Sequence, residues 1–261
     1  MKTALITGAS TGIGAVYADR LARRGYDLIL VARDAAKLSA LAARLEVSTG
    51  RKVDTLRADL SVTADLRAVE QRLASDSSIG MLVNNAGLGA VKTLVESTPE
   101  ELDYLITLNV TALTRLTRAV APGLVARGGG AIINISSIAA LAPELLNGTY
   151  GGSKAFVLAL TQSLHHELND KGVQVQAVLP GAIGTPFWDR FGVPIDHLPA
   201  AIVMTPEDLV DAALAGFDQR ELVTLPSLPE VADFTRMDEA RKALGPNLSH
   251  TRPAARYLTA A

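Results

Sequence analysis

Tyr150 and Lys154 stand four residues apart, with Ser137 upstream and the glycine-rich run Thr7-Gly8-Ala9-Ser10-Thr11-Gly12-Ile13-Gly14 near the start of the chain. If Gly151 to Lys154 continue a helix, side chains four apart share one face, so an ammonium can lie one turn beyond a phenol. A phenol of pKa about 10 must lose roughly three units to exchange protons near pH 7, a preference of about 4 kcal/mol for phenolate. One cation about 4 Å away at an effective dielectric near 20 supplies energy of that order. The pair therefore predicts a tyrosine made acidic by its neighbouring amine. Ser137 and Ser136 are both candidates for a second hydroxyl, and successive residues leaving a strand point in opposite directions.

Such side chains need rigid elements to hold them. Short apolar runs at Ala4–Thr7, Leu28–Ala32, Val53–Leu56, Met81–Asn84, Ala131–Ile135 and Val173–Leu179 read as strands separated by helical patterns. Uninterrupted apolar strands spaced by amphipathic segments predict an α/β fold with a doubly wound parallel sheet covered on both faces. Thr98, Pro99, Glu100 and Glu101 open a long helix that runs toward Ala126 and is ended by Gly128-Gly129-Gly130. A second long helix is expected from about Gly151 to Lys171. Beyond Pro180 the prolines at 186, 194, 199 and 206 mark loop and short helix, so residues of about 183–206 are where substrate contacts would vary. From Pro226 the pattern is helical and suggests no chemistry. The 261 residues are expected to form one Rossmann-like domain.

Composition narrows the function. The formal charge of −2, with Lys and Arg scattered, offers no basic field for nucleic acid. There is no cysteine, which excludes disulfides and thiolate chemistry; of the four histidines, His165 and His166 are adjacent on an expected helix and so point in different directions, and His197 and His250 lie in irregular regions, so no metal site is implied. The amino terminus runs straight into a strand and glycine loop, unlike a cleaved signal, and no apolar stretch reaches membrane-spanning length. A cytoplasmic protein is the expectation.

Gly8, Gly12 and Gly14 lie between the first strand and a helix beginning near Ile13, where glycines let the backbone approach a pyrophosphate and the helix terminus favours its charge. Their G-x-x-x-G-x-G spacing departs from the G-x-G-x-x-G fingerprint, but the strand–loop–helix setting is retained. About twenty residues further, an acidic residue would accept from a ribose 2′-hydroxyl. Here the second strand ends in Ala32 and Arg33, and a guanidinium suits a 2′-phosphate instead. NADP(H) is therefore favoured over NAD(H), with Asp34 as the residue that would reach the ribose in the opposite case. Asp59 follows the third strand, where it would either hydrogen bond the adenine edge or cap the next helix.

With Asn84-Asn85-Ala86-Gly87, Asn109, Ser137, Tyr150-Gly151-Gly152-Ser153-Lys154, Pro180-Gly181 and Thr185 added to the glycine run, the chain resembles the short-chain dehydrogenase/reductase family over about residues 1 to 190. The resemblance implies catalytic Asn109, Ser137, Tyr150 and Lys154, and it selects Ser137 over Ser136. It implies cofactor contacts at Gly8, Ser10, Thr11, Gly12, Ile13, Gly14, Arg33, Asp59, Leu60, Asn85, Tyr150, Lys154, Ile183 and Thr185. Thr11 stands where NADP-binding relatives often carry a basic residue, which leaves the NADP expectation on Arg33. Relatives use the two long helices in dimers and tetramers, so a homodimer or homotetramer is expected.

The expected reaction interconverts a carbonyl compound and a secondary alcohol: Tyr150 gives the proton, Ser137 bonds the same oxygen, Lys154 favours phenolate and holds the nicotinamide ribose, and Asn109 fixes a relaying water. The alternatives are a dinucleotide-binding regulatory protein and a cofactor-neutral dehydratase or isomerase. Phe187, Trp188 and Phe191 suggest either an apolar substrate wall or an aromatic cluster holding the loop, and Arg190 either meets an acidic substrate or is solvated.

Overall fold

The computed structural model describes residues 2–185, 188 and 195–258. Seven parallel strands form one sheet: β1 (Thr3–Thr7), β2 (Asp27–Ala32), β3 (Val53–Arg57), β4 (Ile79–Asn84), β5 (Gly130–Ile135), β6 (Val173–Val178) and the two-residue β9 (Val223–Thr224). They are ordered β3-β2-β1-β4-β5-β6-β9, a doubly wound arrangement with the topological reversal between β1 and β4. A separate short pair joins β7 (Ala182–Ile183) to β8 (Val203–Met204). The expected α/β fold is therefore present, and β9 is a seventh strand too short to signal itself in the sequence.

Period-two alternation along the strands explains both layers. Ala4, Ile6, Leu28, Leu30, Met81, Val83 and Ile133 face helices α1 (Gly12–Arg23), α2 (Ala35–Thr49) and α7 (Pro206–Asp218), packing with Tyr17, Leu21, Leu38 and Leu209. Leu5, Ile29, Val31, Leu82 and Ile132 face the other way, onto Leu66 and Val69 of α3 (Thr63–Ser75) and Leu116 and Val120 of α5 (Leu113–Ala126). Both faces are dry, as an all-parallel sheet requires.

Local chemistry sets the helix ends. Thr98 and Glu101 make a reciprocal capping box with Pro99 in the first turn, starting α4 (Pro99–Ile106) where the sequence predicts it. The single long helix expected there is continuous in path but contains a π-helical turn, Thr107–Ala112, between α4 and α5. α6 (Gly148–Leu168) starts at an Asn147 cap, three residues earlier than about Gly151, because the Asn147 side chain accepts from the N–H groups of Thr149 and Tyr150.

The chain divides into two compact units, Met1–Pro226 and Ser227–Ala261. The first contains the sheet. The second contains α8 (Val231–Ala243), a helix that buries no residue and carries intrahelical ion pairs from Asp233 to Arg236 and from Asp238 to Arg241 and Lys242. Among the described residues, no helix is long and apolar enough to cross a membrane.

Candidate active site

The loop after β1 and the segment after β4 meet at the crevice where the strand order reverses. Gly8 and Gly12 have φ of +65° and +55°, a region L side chains avoid. A Cβ on Gly14 would collide with the Gly8 carbonyl and lie 2.5 Å from Asn85 Nδ2. Asn85 fastens this turn by donating to the carbonyls of Thr7 (2.9 Å) and Gly8 (3.1 Å), while the Thr7 hydroxyl accepts from the N–H groups of Asn85 and Ala86. Asn85 thus acts on the loop itself.

Helix α1 begins in this turn. Thr11, at its N-cap, makes no side-chain bond to the helix, and its first turn contains no acidic residue. The first turns of α4 and α7 each hold two carboxylates. An uncapped helix terminus free of carboxylates presents N–H donors to an anion, which fits a pyrophosphate over the glycines. Ser10 and Ile13 are half-buried in the same turn, Ile13 against the core. Thr185 closes over it, with its methyl 3.1 Å from where a Gly12 Cβ would stand. Ile183 is buried in the core below.

At the opposite end of the crevice, Arg33 leaves β2 with its side chain half exposed. Asp34 is committed elsewhere: its carboxylate caps α2 through the Lys37 N–H (3.0 Å), and that bond and the Lys37 charge hold it below the usual carboxylate range. Asp59 accepts from the backbone N–H and hydroxyl of Ser61 at 3.0 and 2.6 Å. Although burial raises its pKa, those bonds and the charges of Arg33 and Arg57 prevail and lower it. The cap of α3 is Val62, so Asp59 is not that helix's cap. Leu60 buries its side chain in the core beside α3.

Ser137, Tyr150 and Lys154, the residues expected to handle the proton, come together around the start of α6. Tyr150 and Lys154 are 6% and 7% exposed, and Lys154 Nζ lies 5.8 Å from the Tyr150 ring centroid. Ser137 follows β5; its hydroxyl accepts from the Ala139 N–H at 3.2 Å, donates to the Pro180 carbonyl at 3.5 Å and lies near enough to the Tyr150 phenol to lower its pKa. Ser136 turns away, donating to the Lys154 carbonyl at 2.8 Å, as strand alternation predicts.

The electrostatics reverse one expectation. Burial pushes the Tyr150 phenol above its ordinary value, and the nearby Ser137 hydroxyl opposes this only in part. Lys154 does not supply the expected lowering. Its Nζ is anchored on the Ile135 carbonyl at 3.0 Å, and burial pushes its own pKa down from 10.5 to about 8. The sequence spacing placed the pair on one helical face but gave no account of the desolvation both suffer.

Asn109 lies in the π-helical turn, a distortion common at functional sites. Its Nδ2 donates to the Leu88 carbonyl (2.8 Å) and to Ser153 Oγ (3.1 Å), and its Oδ1 accepts from the Leu88 N–H (2.8 Å). Both donors are used, and one lone pair remains on Oδ1. A methyl on Gly87 would lie 3.2 Å from that oxygen and 3.5 Å from Lys154 Nζ, so both atoms border the space above Gly87.

Asn147 belongs to this group and was not among the candidates from sequence. It caps α6 directly ahead of Tyr150, and its Nδ2 donates to the Lys92 carbonyl, tying the helix start to the segment after β4. An Asn immediately before Gly148 and the helix was the available signal. Leu105, Ala139, Ala90 and Leu146 pack around Tyr150 and give the site an apolar flank. Trp188 donates from its indole to the Ile183 carbonyl at 2.8 Å, while Phe187, Arg190 and Phe191 lie outside the described residues.

Comparison with known proteins agrees with this architecture. A family model described as short chain dehydrogenase matches residues 2–192. A short-chain dehydrogenase from Sphingobium yanoikuyae, solved in complex with NADPH, is 52% identical with a TM-score of 0.96, covering 99% of this chain and 100% of that one. A bulky-bulky ketone specific alcohol dehydrogenase from Comamonas testosteroni is 46% identical with a TM-score of 0.92 and covers 99% of both chains. Among curated relatives, human 17-beta-hydroxysteroid dehydrogenase type 3 is 37% identical over 70% of this chain and 59% of its own length. The bovine very-long-chain 3-oxoacyl-CoA reductase is 37% identical over 72% and 63% respectively. The chain thus spans only about three fifths of these two curated relatives. With the family match extending from β1 past the Tyr150–Lys154 pair, the chain belongs to the short-chain dehydrogenase family.

Proposed function

We propose that this protein is an NADP(H)-preferring oxidoreductase that interconverts apolar ketones and secondary alcohols, with Tyr150 as the general acid and base. The observation that carries the reading is the convergence of Ser137, Tyr150 and Lys154 beside the glycine turn of Gly8, Gly12 and Gly14. The bound nicotinamide supplies or accepts the hydride at the carbonyl carbon. The chain's residues handle the oxygen. Ser137 holds it by hydrogen bonding, and Tyr150 transfers its hydroxyl proton as the carbonyl π bond breaks and negative charge develops there.

A phenol kept above its ordinary pKa is fully protonated at neutral pH, which suits the reductive direction. Oxidation needs the phenolate and is favoured by alkaline pH and by positive charge near the ring. The remaining lone pair of Asn109 Oδ1 suits a water that returns protons toward Lys154, whose own charge is lost above about pH 8. Arg33 supports the NADP(H) preference, since Asp34 is engaged in capping α2. The NADPH in the Sphingobium yanoikuyae structure supports the same choice. The apolar flank of Leu105, Ala139, Ala90 and Leu146, and the ketone specificity named for the Comamonas testosteroni relative, support a bulky apolar carbonyl substrate. Phe156, 40% exposed on α6, supports assembly as a homodimer or homotetramer through that helix.

The test is a panel of bulky aryl and alkyl ketones with NADPH and NADH in parallel, followed by nicotinamide absorbance and product analysis. Oxidation of NADPH matched by alcohol formation is expected. Binding of NADPH without turnover across the panel, or product formed without net cofactor use, would overturn the proposal.

A further inference from the structure

Arg33 is not held as an isolated charge. Its Nη1 donates to the hydroxyl of Tyr104 at 2.9 Å, and the nearest carboxylate oxygen, on Asp59, is 3.9 Å away. With the Arg33 side chain 51% exposed, that ion pair is long and screened, so the phenol is the partner that fixes the guanidinium's direction. The two residues come from rigid supports. Arg33 sits between β2 and the capped start of α2. Tyr104 sits on α4, whose first turn is fastened by the capping box and by Lys92 bonded to Glu101. Strands β2 and β4 flank β1, so the bond joins the segment leaving β2 to the helix that follows β4, beside the glycine turn.

The donor and acceptor inventory gives this bond a use. Accepting from Arg33 leaves the Tyr104 hydroxyl its own proton to donate. Among the described residues Arg33 spends only Nη1 on a hydrogen bond, leaving its Nε and Nη2 edge for a fork onto an anion. We infer that Tyr104 is a specificity-determining residue, which aims the Arg33 guanidinium and adds a hydroxyl donor to hold the 2′-phosphate of NADP(H). The inference rests on the NADP(H) reading above, and it assigns to α4 a task in cofactor choice. A cofactor with a free 2′-hydroxyl presents no anion to this pair, so its binding does not depend on Tyr104.

Isothermal titration of wild type, Tyr104→Phe, Arg33→Ala and the double variant with NADPH and with NADH tests this directly. Tyr104→Phe is expected to weaken NADPH binding about ten- to 100-fold, the loss of a hydrogen bond to a charged group, with NADH binding and kcat at saturating NADPH unchanged. On the Arg33→Ala background the same change is expected to have a much smaller effect. Equal weakening of NADPH and NADH would make Tyr104 a structural or adenine-side residue and overturn the inference, as would unchanged NADPH binding in a wild type that prefers NADPH. A wild type binding both cofactors equally would instead remove the NADP(H) reading, and the inference with it.

Discussion

Lys154 places an ammonium in a site that is 7% exposed, and burial pushes its pKa to about 8 from 10.5. A folded-state pKa below the unfolded value means that the unfolded chain binds the extra proton. The resulting penalty is fully present below pH 8 and is relieved as pH rises toward 10.5. From those two values the cost is about 3 kcal/mol at pH 7 and under about 1 kcal/mol at pH 10. Lys154→Met keeps the side-chain length and removes the charge, but it leaves the Ile135 carbonyl without its donor, a loss of about 1 kcal/mol. The variant should therefore be about 2 kcal/mol more stable than wild type at pH 7, or about 4–8 °C in Tm for a chain of this size. At pH 10 the advantage should vanish. Urea and thermal unfolding of both proteins, without cofactor, at the two pH values measures this. A variant that is less stable at pH 7, or whose advantage persists at pH 10, refutes the reasoning that Lys154 is retained against its folding cost for what it does in the site.

Two further outcomes follow from the geometry. Gly14→Ala puts a methyl against the Gly8 carbonyl and Asn85 Nδ2, and should raise the NADPH dissociation constant at least about tenfold with the circular dichroism spectrum unchanged; unaltered binding would mean that the phosphates lie elsewhere. Asn147→Ala removes the α6 cap and the tie to Lys92, and should cost about 2–3 kcal/mol in urea unfolding and lower kcat more than it alters KM; an unchanged kcat would free Tyr150 from any dependence on that cap.

The strands were legible because each is a short apolar run, and the structure extends most of them by only one or two residues. The glycine turn was legible because only glycine fits the positive φ at Gly8 and Gly12. The π-helical turn at Asn109 was not, since Thr107–Ala112 has no proline or glycine to mark a change in helical pitch. Arg33 could be singled out from its place after β2, but its bond to Tyr104 joins residues 71 apart and has no local signature. The Tyr150–Lys154 pairing followed from helical spacing, whereas their pKa directions did not. Those depend on desolvation by residues brought in from other elements, among them Leu105, Ala139 and Leu146.

Pre-steady-state reduction of an accepted ketone by Tyr150→Phe loaded with NADPH tests the central claim most directly. The phenyl ring preserves packing and removes only the hydroxyl, so NADPH affinity should stay within about twofold while hydride transfer slows by about 10²- to 10⁴-fold, the range for loss of a positioned general acid. Hydride transfer at the wild-type rate, with the cofactor bound as tightly as before, would show that the proton comes from another group.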